Sequence, residues 1–140
     1  MTANTLRKTI YLQASRETVW AFLTQPDKIK IWFHAPKSPL KEGCDLALYG
    51  TDSGDQVCWG HVRVARAPEY LEYTFSIKPM DGAVSTVKWS LDAVPGGTRL
   101  SLVHEGLPEG QAAFGLTLAL DKGWETHLDQ MREHLHKDLN

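Results

Sequence analysis

Cysteine is scarce in this chain: Cys44 and Cys58 are the only two in 140 residues. Two are too few for a disulfide framework, and their spacing fits no zinc site. Reduced thiols in a cytoplasmic protein are therefore expected. Runs of lysine and arginine are also missing. With a formal charge of −2 and a pI near 6.3, neither nucleic acid nor an anionic membrane is an expected partner. No stretch approaches the roughly 18 apolar residues of a membrane span, and residues 1–8 lack the apolar core of a signal peptide. There is no G-x-S-x-G, no H-E-x-x-H and no phosphate loop, and no metal or cofactor is expected. No linker, internal repeat or low-complexity segment divides the chain. One domain spanning residues 1–140 is expected, large enough to bury about two-thirds of its unfolded surface without staples.

What is present is pattern. Residues 112–136 contain no proline and no turn cluster, and Ala113, Leu116, Leu120, Trp124, Leu128, Met131 and Leu135 recur there at steps of three or four. That spacing puts all of them on one face of a long α-helix. Lys122, Glu125, Asp129, Arg132 and Glu133 take the other face, a solvated one. Gly123 costs this helix roughly 1 kcal/mol relative to alanine, so its place beside Trp124 predicts a close approach of the helix to a flat surface.

The rest of the chain supplies such a surface. Residues 5–13 suit a first strand. Ser15 is a good N-cap with Glu17 in the first turn. Val19, Phe22 and Leu23 line the helix that follows. Pro26 ends that helix and can open a second short one through Ile29 to Trp32. The segment 34–39 carries two prolines and reads as loop. Strand patterns then follow over 45–49, 56–65, 71–78, 87–92 and 99–105, with turn clusters at 50–54, 79–82 and 95–97. Leu71, Tyr73, Phe75 and Ile77 alternate with polar residues, as do Val87, Trp89 and Leu91, and Leu100, Leu102 and His104. This order gives an α+β domain with an antiparallel sheet and its helices on one face.

Several phrases, in this order, resemble proteins similar to the C-terminal domain of the activator of heat shock protein 90 ATPase. They are Ala14-Ser15-Arg16-Glu17-Thr18-Val19-Trp20 with Leu23-Thr24-Gln25-Pro26, then Trp32, Gly60-His61-Val62, Pro68, Leu71-Glu72-Tyr73-Thr74-Phe75, Gly97-Thr98-Arg99-Leu100, His104 and Gly123-Trp124. The resemblance covers nearly the whole chain. It implies the helix-grip fold of the START-like (SRPBCC) superfamily, in which a curved antiparallel sheet wraps a long C-terminal helix around a mostly apolar cavity, with two short helices after the first strand. Lipid carriers, hormone receptors, aromatic cyclases and co-chaperone domains share that fold, so it does not fix a function.

Core packing is the expected role of Trp20 and Trp124. Trp32, Phe33, Trp89 and Phe114 can serve as core or as cavity lining. With Tyr73, Phe75, Leu102, Leu116, Leu118 and Leu120 they form the expected cavity-lining set. His104 would be its polar anchor if the space is hollow, or a hydrogen-bonded core histidine if it is solid. His34 lies in the proline loop, near a cavity mouth or simply exposed. No catalytic residue is expected. Cys58 with His61 or His104 offers no geometric argument for a nucleophile, and His134 and His136 lie on different helix faces.

Three functions follow. The first is a binding module for a small hydrophobic or aromatic molecule. The wide apolar arc at Phe114 and Leu118 would then be covered by a lid, a ligand or a second copy of the chain, which leaves a homodimer open. The second, implied by the resemblance, is partner binding to a heat-shock ATPase. The eukaryotic co-chaperones carry a further N-terminal domain, whereas this chain starts at the START-like strand, so a chaperone partner is not the expectation. The third is a cyclase or hydratase in which His104 with Tyr73 or Glu105 moves protons.

Overall fold

The computed structural model describes residues 4–50 and 53–137. Thr51 and Asp52 of the expected hairpin tip, and the ends of the expected 1–140 domain, lie outside the described residues. The strands are β1 (Asn4–Leu12), β2 (Asp45–Tyr49), β3 (Gln56–Arg66), β4 (Tyr70–Phe75), β5 (Ser85–Val94) and β6 (Gly97–Leu107). The helices are α1 (Arg16–Thr24), α2 (Pro26–Trp32) and α3 (Phe114–His136), with short 3-10 turns at Lys78–Met80 and Gln111–Ala113. The six strands form one antiparallel sheet in the order β1-β6-β5-β4-β3-β2. This is the helix-grip arrangement.

Alternation dictates which face is buried. Val87, Trp89 and Leu91 on β5 and Leu100, Leu102 and His104 on β6 all point inward, and Trp89 faces Leu102 across the ladder. Leu71 and Tyr73 continue that layer on β4. Val19, Phe22 and Leu23 of α1, Ile29 and Trp32 of α2, and Trp124, Leu128 and Met131 of α3 cover it. The Ser15 hydroxyl accepts from the Thr18 amide and caps α1, and Pro26 opens α2. β4 stops at Phe75 rather than running on to Lys78. Ser76 keeps one bridge to Trp59, and Pro79 then sits in a 3-10 turn.

Two glycines permit the close approaches the sheet needs. A Cβ on Gly60 would overlap the Thr74 carbonyl, and one on Gly97 would overlap the Leu12 carbonyl. Beside Gly60, His61 donates its amide to the Thr74 hydroxyl at 2.8 Å, and the β3–β4 register shifts between Val62 and Val64. A bulged, bent strand results, which curves the sheet around the helix. Gly123 is different, and the expected close approach fails there: a Cβ on it would meet nothing within 4 Å.

Candidate functional site

The first half of α3 is less buried than the second. Between Phe114 and Gly123 no residue with a described side chain is buried, whereas Trp124, Leu128 and Met131 are. Beneath the middle of the helix, from Ala119 to His127, lies a cavity of about 410 Å³, within the roughly 300–1,000 Å³ of small-molecule sites. Its floor is Cys58 of β3, Phe75 of β4 and Trp124 of α3, all buried. Phe33 and His34, just after α2, form one side, and Leu120, Gly123 and His127 of α3 form another. Ile77 and Val57 line it as well, and the rim carries Gln56, Lys78, Pro79 and Ala119, all exposed.

Helix geometry explains the two roles of α3. Residues 124, 128 and 131 make one seam that buries itself on the sheet. Residues 120, 123 and 127 make an adjacent seam at the same spacing, and this one faces the cavity. Glycine at 123 contributes empty space to that wall. The proline loop after α2 is held in place: Trp32 and Pro36 are buried, Tyr49 donates its amide to the Ala35 carbonyl at 2.9 Å, and Leu40 donates to the Thr24 carbonyl at 2.9 Å.

An aromatic layer sits behind the floor. Trp124 meets Trp89 edge-on at 5.5 Å, and Trp89 meets Trp32 edge-on at 5.9 Å. Phe33 packs on Trp124 at 5.2 Å. Each indole donor is satisfied: Trp32 by the Phe22 carbonyl at 2.7 Å, Trp89 by the Tyr73 hydroxyl at 3.1 Å, and Trp124 by His104 Nδ1 at 2.9 Å.

His104 is fully buried and has both ring nitrogens engaged. Trp124 can only donate, so His104 Nδ1 accepts and the proton sits on Nε2. Nε2 donates to the Ser85 hydroxyl at 2.7 Å, which in turn donates to the Phe75 carbonyl at 2.8 Å. Desolvation lowers the His104 pKa to about 4 and keeps the ring neutral. The chain Trp124–His104–Ser85–Phe75 therefore fastens α3 to the sheet, and His104 does not line the cavity. Its placement as the ligand's polar anchor is corrected: the space around it is solid, and its partners are side chains on β5 and α3.

The other expected residues divide three ways. Phe33, Phe75 and Leu120 stand on the cavity wall. Trp32, Tyr73, Trp89 and Leu102 are packed core behind it, because the inward rows of β4–β6 meet α1, α2 and the rear of α3 rather than open space. Leu116 is half-buried against the core edge, while Phe114 and Leu118 are 55% and 56% exposed on the outer face of α3. Trp20 is half-buried at the core's edge, and Trp124 is both core and cavity floor.

The cavity's polar end was not anticipated from sequence beyond His34. His127 Nδ1 donates to the Trp32 carbonyl at 2.8 Å, its ring meets Phe33 edge-on at 4.8 Å, and His34 lies 5.6 Å away. The signal was its spacing, seven residues beyond Leu120 and four beyond Gly123. Burial lowers the pKa of both histidines. For His127 the Trp32 hydrogen bond opposes that shift and His34 adds to it. On the floor, burial pushes the Cys58 thiol up to about 12, so it is no thiolate nucleophile. Among the described residues no three His, Cys, Asp or Glu side chains converge as a metal site, and no helix is long and apolar enough to cross a membrane.

Residues 13–136 match the family described as Activator of Hsp90 ATPase homolog 1-like protein. No curated protein matches the chain. Solved structures share the fold. CalU16 from Micromonospora echinospora is similar at 25% identity and a TM-score of 0.79, over 98% of this chain and 79% of that one. DynU16, described as a protein in the dynemicin biosynthetic locus, is similar at 19% identity and a TM-score of 0.80, over 94% of this chain and 47% of its own. The Aha1 dimer from Colwellia psychrerythraea, solved in solution, is similar at 15% identity and a TM-score of 0.77, over 94% and 96%. With a curved six-stranded sheet closed on a long C-terminal helix and a family match across most of its length, the chain belongs to the Activator of Hsp90 ATPase homolog 1-like family of START-like proteins.

Proposed function

We propose that the chain acts as one START-like domain that binds a small hydrophobic or aromatic molecule in the cavity under the middle of α3. The observation that carries this reading is the contrast within the wall. Phe33, Phe75, Leu120 and Trp124 supply apolar and aromatic surface, and Gly123 supplies room that a long side chain would fill. Pockets of this size, apolar with a few polar groups at one end, are the usual form of small-molecule sites. Binding is favoured over catalysis because the candidates for proton transfer do not meet the cavity. Tyr73 and His104 are core, each in a hydrogen bond to an indole, and β6 alternation turns Glu105 away from His104.

The test is a set of bicyclic aromatics screened by amide chemical shifts, with Gly123→Leu as the control. Shifts centred on residues 33, 75, 120 and 127, lost in Gly123→Leu while the melting temperature holds, are the expected result. Binding that ignores a leucine at 123 would place the site elsewhere, and no binding by any member would sink the reading.

A second reading concerns self-association. Phe114 and Leu118 are exposed one turn apart on the outer face of α3, and a relative of the same fold was solved as a dimer. A homodimer through that face predicts a concentration-dependent mass in sedimentation equilibrium that Leu118→Lys abolishes. A monomer at all concentrations would end it.

A further inference from the structure

We infer that the cavity selects molecules carrying a hydroxyl group, aromatic alcohols or phenols, whose O–H donates to Nε2 of His127. The inference rests on the cavity reading above and adds the ligand's polar chemistry to it.

The tautomer of His127 decides the matter. The Trp32 carbonyl can only accept, so the Nδ1 that contacts it at 2.8 Å carries the proton. In the neutral ring Nε2 is then a bare acceptor. The ring is held in place by its edge contact with Phe33 and by His34 beside it. Among the described residues no protein donor is hydrogen-bonded to Nε2. The polar and charged groups lining the same cavity are few, and Gln56 of β3 is exposed at its rim. From the segment after α2 comes His34, kept neutral by burial. From β3 comes Cys58, with its thiol protonated. From the turn after β4 comes Lys78, exposed at the rim. From α3 itself come Ala119, Leu120, Gly123 and Trp124, none of them charged. No carboxylate lines the cavity.

Such a wall discriminates by donor count. An ether or ketone would set a lone pair against the Nε2 lone pair. A carboxylate at Nε2 would set a full negative charge against that lone pair, and the cation of the lining, Lys78, lies exposed at the rim. A hydroxyl meets the lone pair with hydrogen, and its aromatic body lies against Phe33, Phe75 and Trp124. Gaining or losing one neutral hydrogen bond in such a site changes affinity by about 3- to 10-fold.

The experiment compares 2-naphthol with 2-methoxynaphthalene, of nearly the same shape, by equilibrium titration near pH 7. The wild-type chain should bind the naphthol about 3- to 10-fold more tightly. In His127→Phe the two should bind equally, with the ether's affinity kept. His127→Gln, whose side-chain oxygen can accept, should restore part of the preference and covers the event that the phenylalanine variant folds poorly. Equal binding of both compounds by the wild type would overturn the hydroxyl inference and leave the cavity reading standing. A preference that survives in His127→Phe would also overturn it, since the acceptor would then be another group. Failure of both compounds to bind would remove the cavity reading and this inference with it.

Discussion

The two halves of α3 look alike in sequence and do opposite things. Apolar residues recur through both at the same spacing, yet the rear half buries Trp124, Leu128 and Met131, while from Phe114 to Gly123 no described side chain is buried. The rear half is fixed by the Trp124–His104–Ser85–Phe75 chain. The front half begins with no side-chain cap, and Asp121 in it pairs with Lys8 of β1 at 2.8 Å. Partly exposed ion pairs of this sort are worth little. An amphipathic stripe thus tells which face of a helix is apolar. It does not tell whether that face meets side chains or open space.

Three measurements sharpen or break that contrast. The largest effect is expected at Trp124. Trp124→Ala removes a buried indole and leaves the His104 Nδ1 acceptor without its donor, so chemical denaturation should show a loss of about 3–5 kcal/mol. A loss near zero would mean that the rear half is not the weld.

Acid should act on the same link. His104 has a folded pKa of about 4 against an ordinary 6.5, lowered by desolvation. The unfolded chain then binds a proton that the folded chain refuses between those values. Stability from this group is therefore complete above pH 6.5 and declines as pH falls toward 4, by up to about 3 kcal/mol. His104→Gln should flatten that limb of a stability–pH curve. An identical slope in wild type and variant would assign the acid sensitivity to other groups.

The smallest effect belongs to the front half. Gly123→Ala gains helix propensity and meets no neighbour within 4 Å, so it should stabilise the chain by about 0.5–1 kcal/mol. This reverses the expectation that Gly123 sits against the sheet. A destabilised alanine variant would restore that expectation and close the cavity wall.

Much of the fold was legible. The alternation of β5 and β6, the Ser15 cap, the Pro26 break and the long helix all appear where local pattern puts them, because each depends on neighbours in sequence. The end of β4 was misread by three residues, since Ile77 continues the alternation while Pro79 ends the ladder. The site was legible only in part. Phe33, Phe75 and Leu120 belong to it, but Trp89, Leu102 and His104 share their pattern and fill the core instead. Local pattern cannot report how closely a helix packs on a sheet at each turn, and that packing decides which inward residues find a cavity. At Gly123 the cost to the helix points to a special role, and that role is space beside the cavity rather than contact with the sheet. Gly60 and Gly97, which do admit a neighbouring carbonyl, looked like ordinary motif letters.

The seam through residues 120, 123 and 127 has an evolutionary consequence. Because most of the buried contacts of α3 lie on the neighbouring seam, substitutions at Leu120 and Gly123 alter the shape of the cavity wall at small cost in stability, within the tolerance that natural proteins hold above their folding threshold. Chains of this fold can change the cavity at a handful of positions, while the scaffold stays recognisable at the sequence identity seen between this chain and its structural relatives.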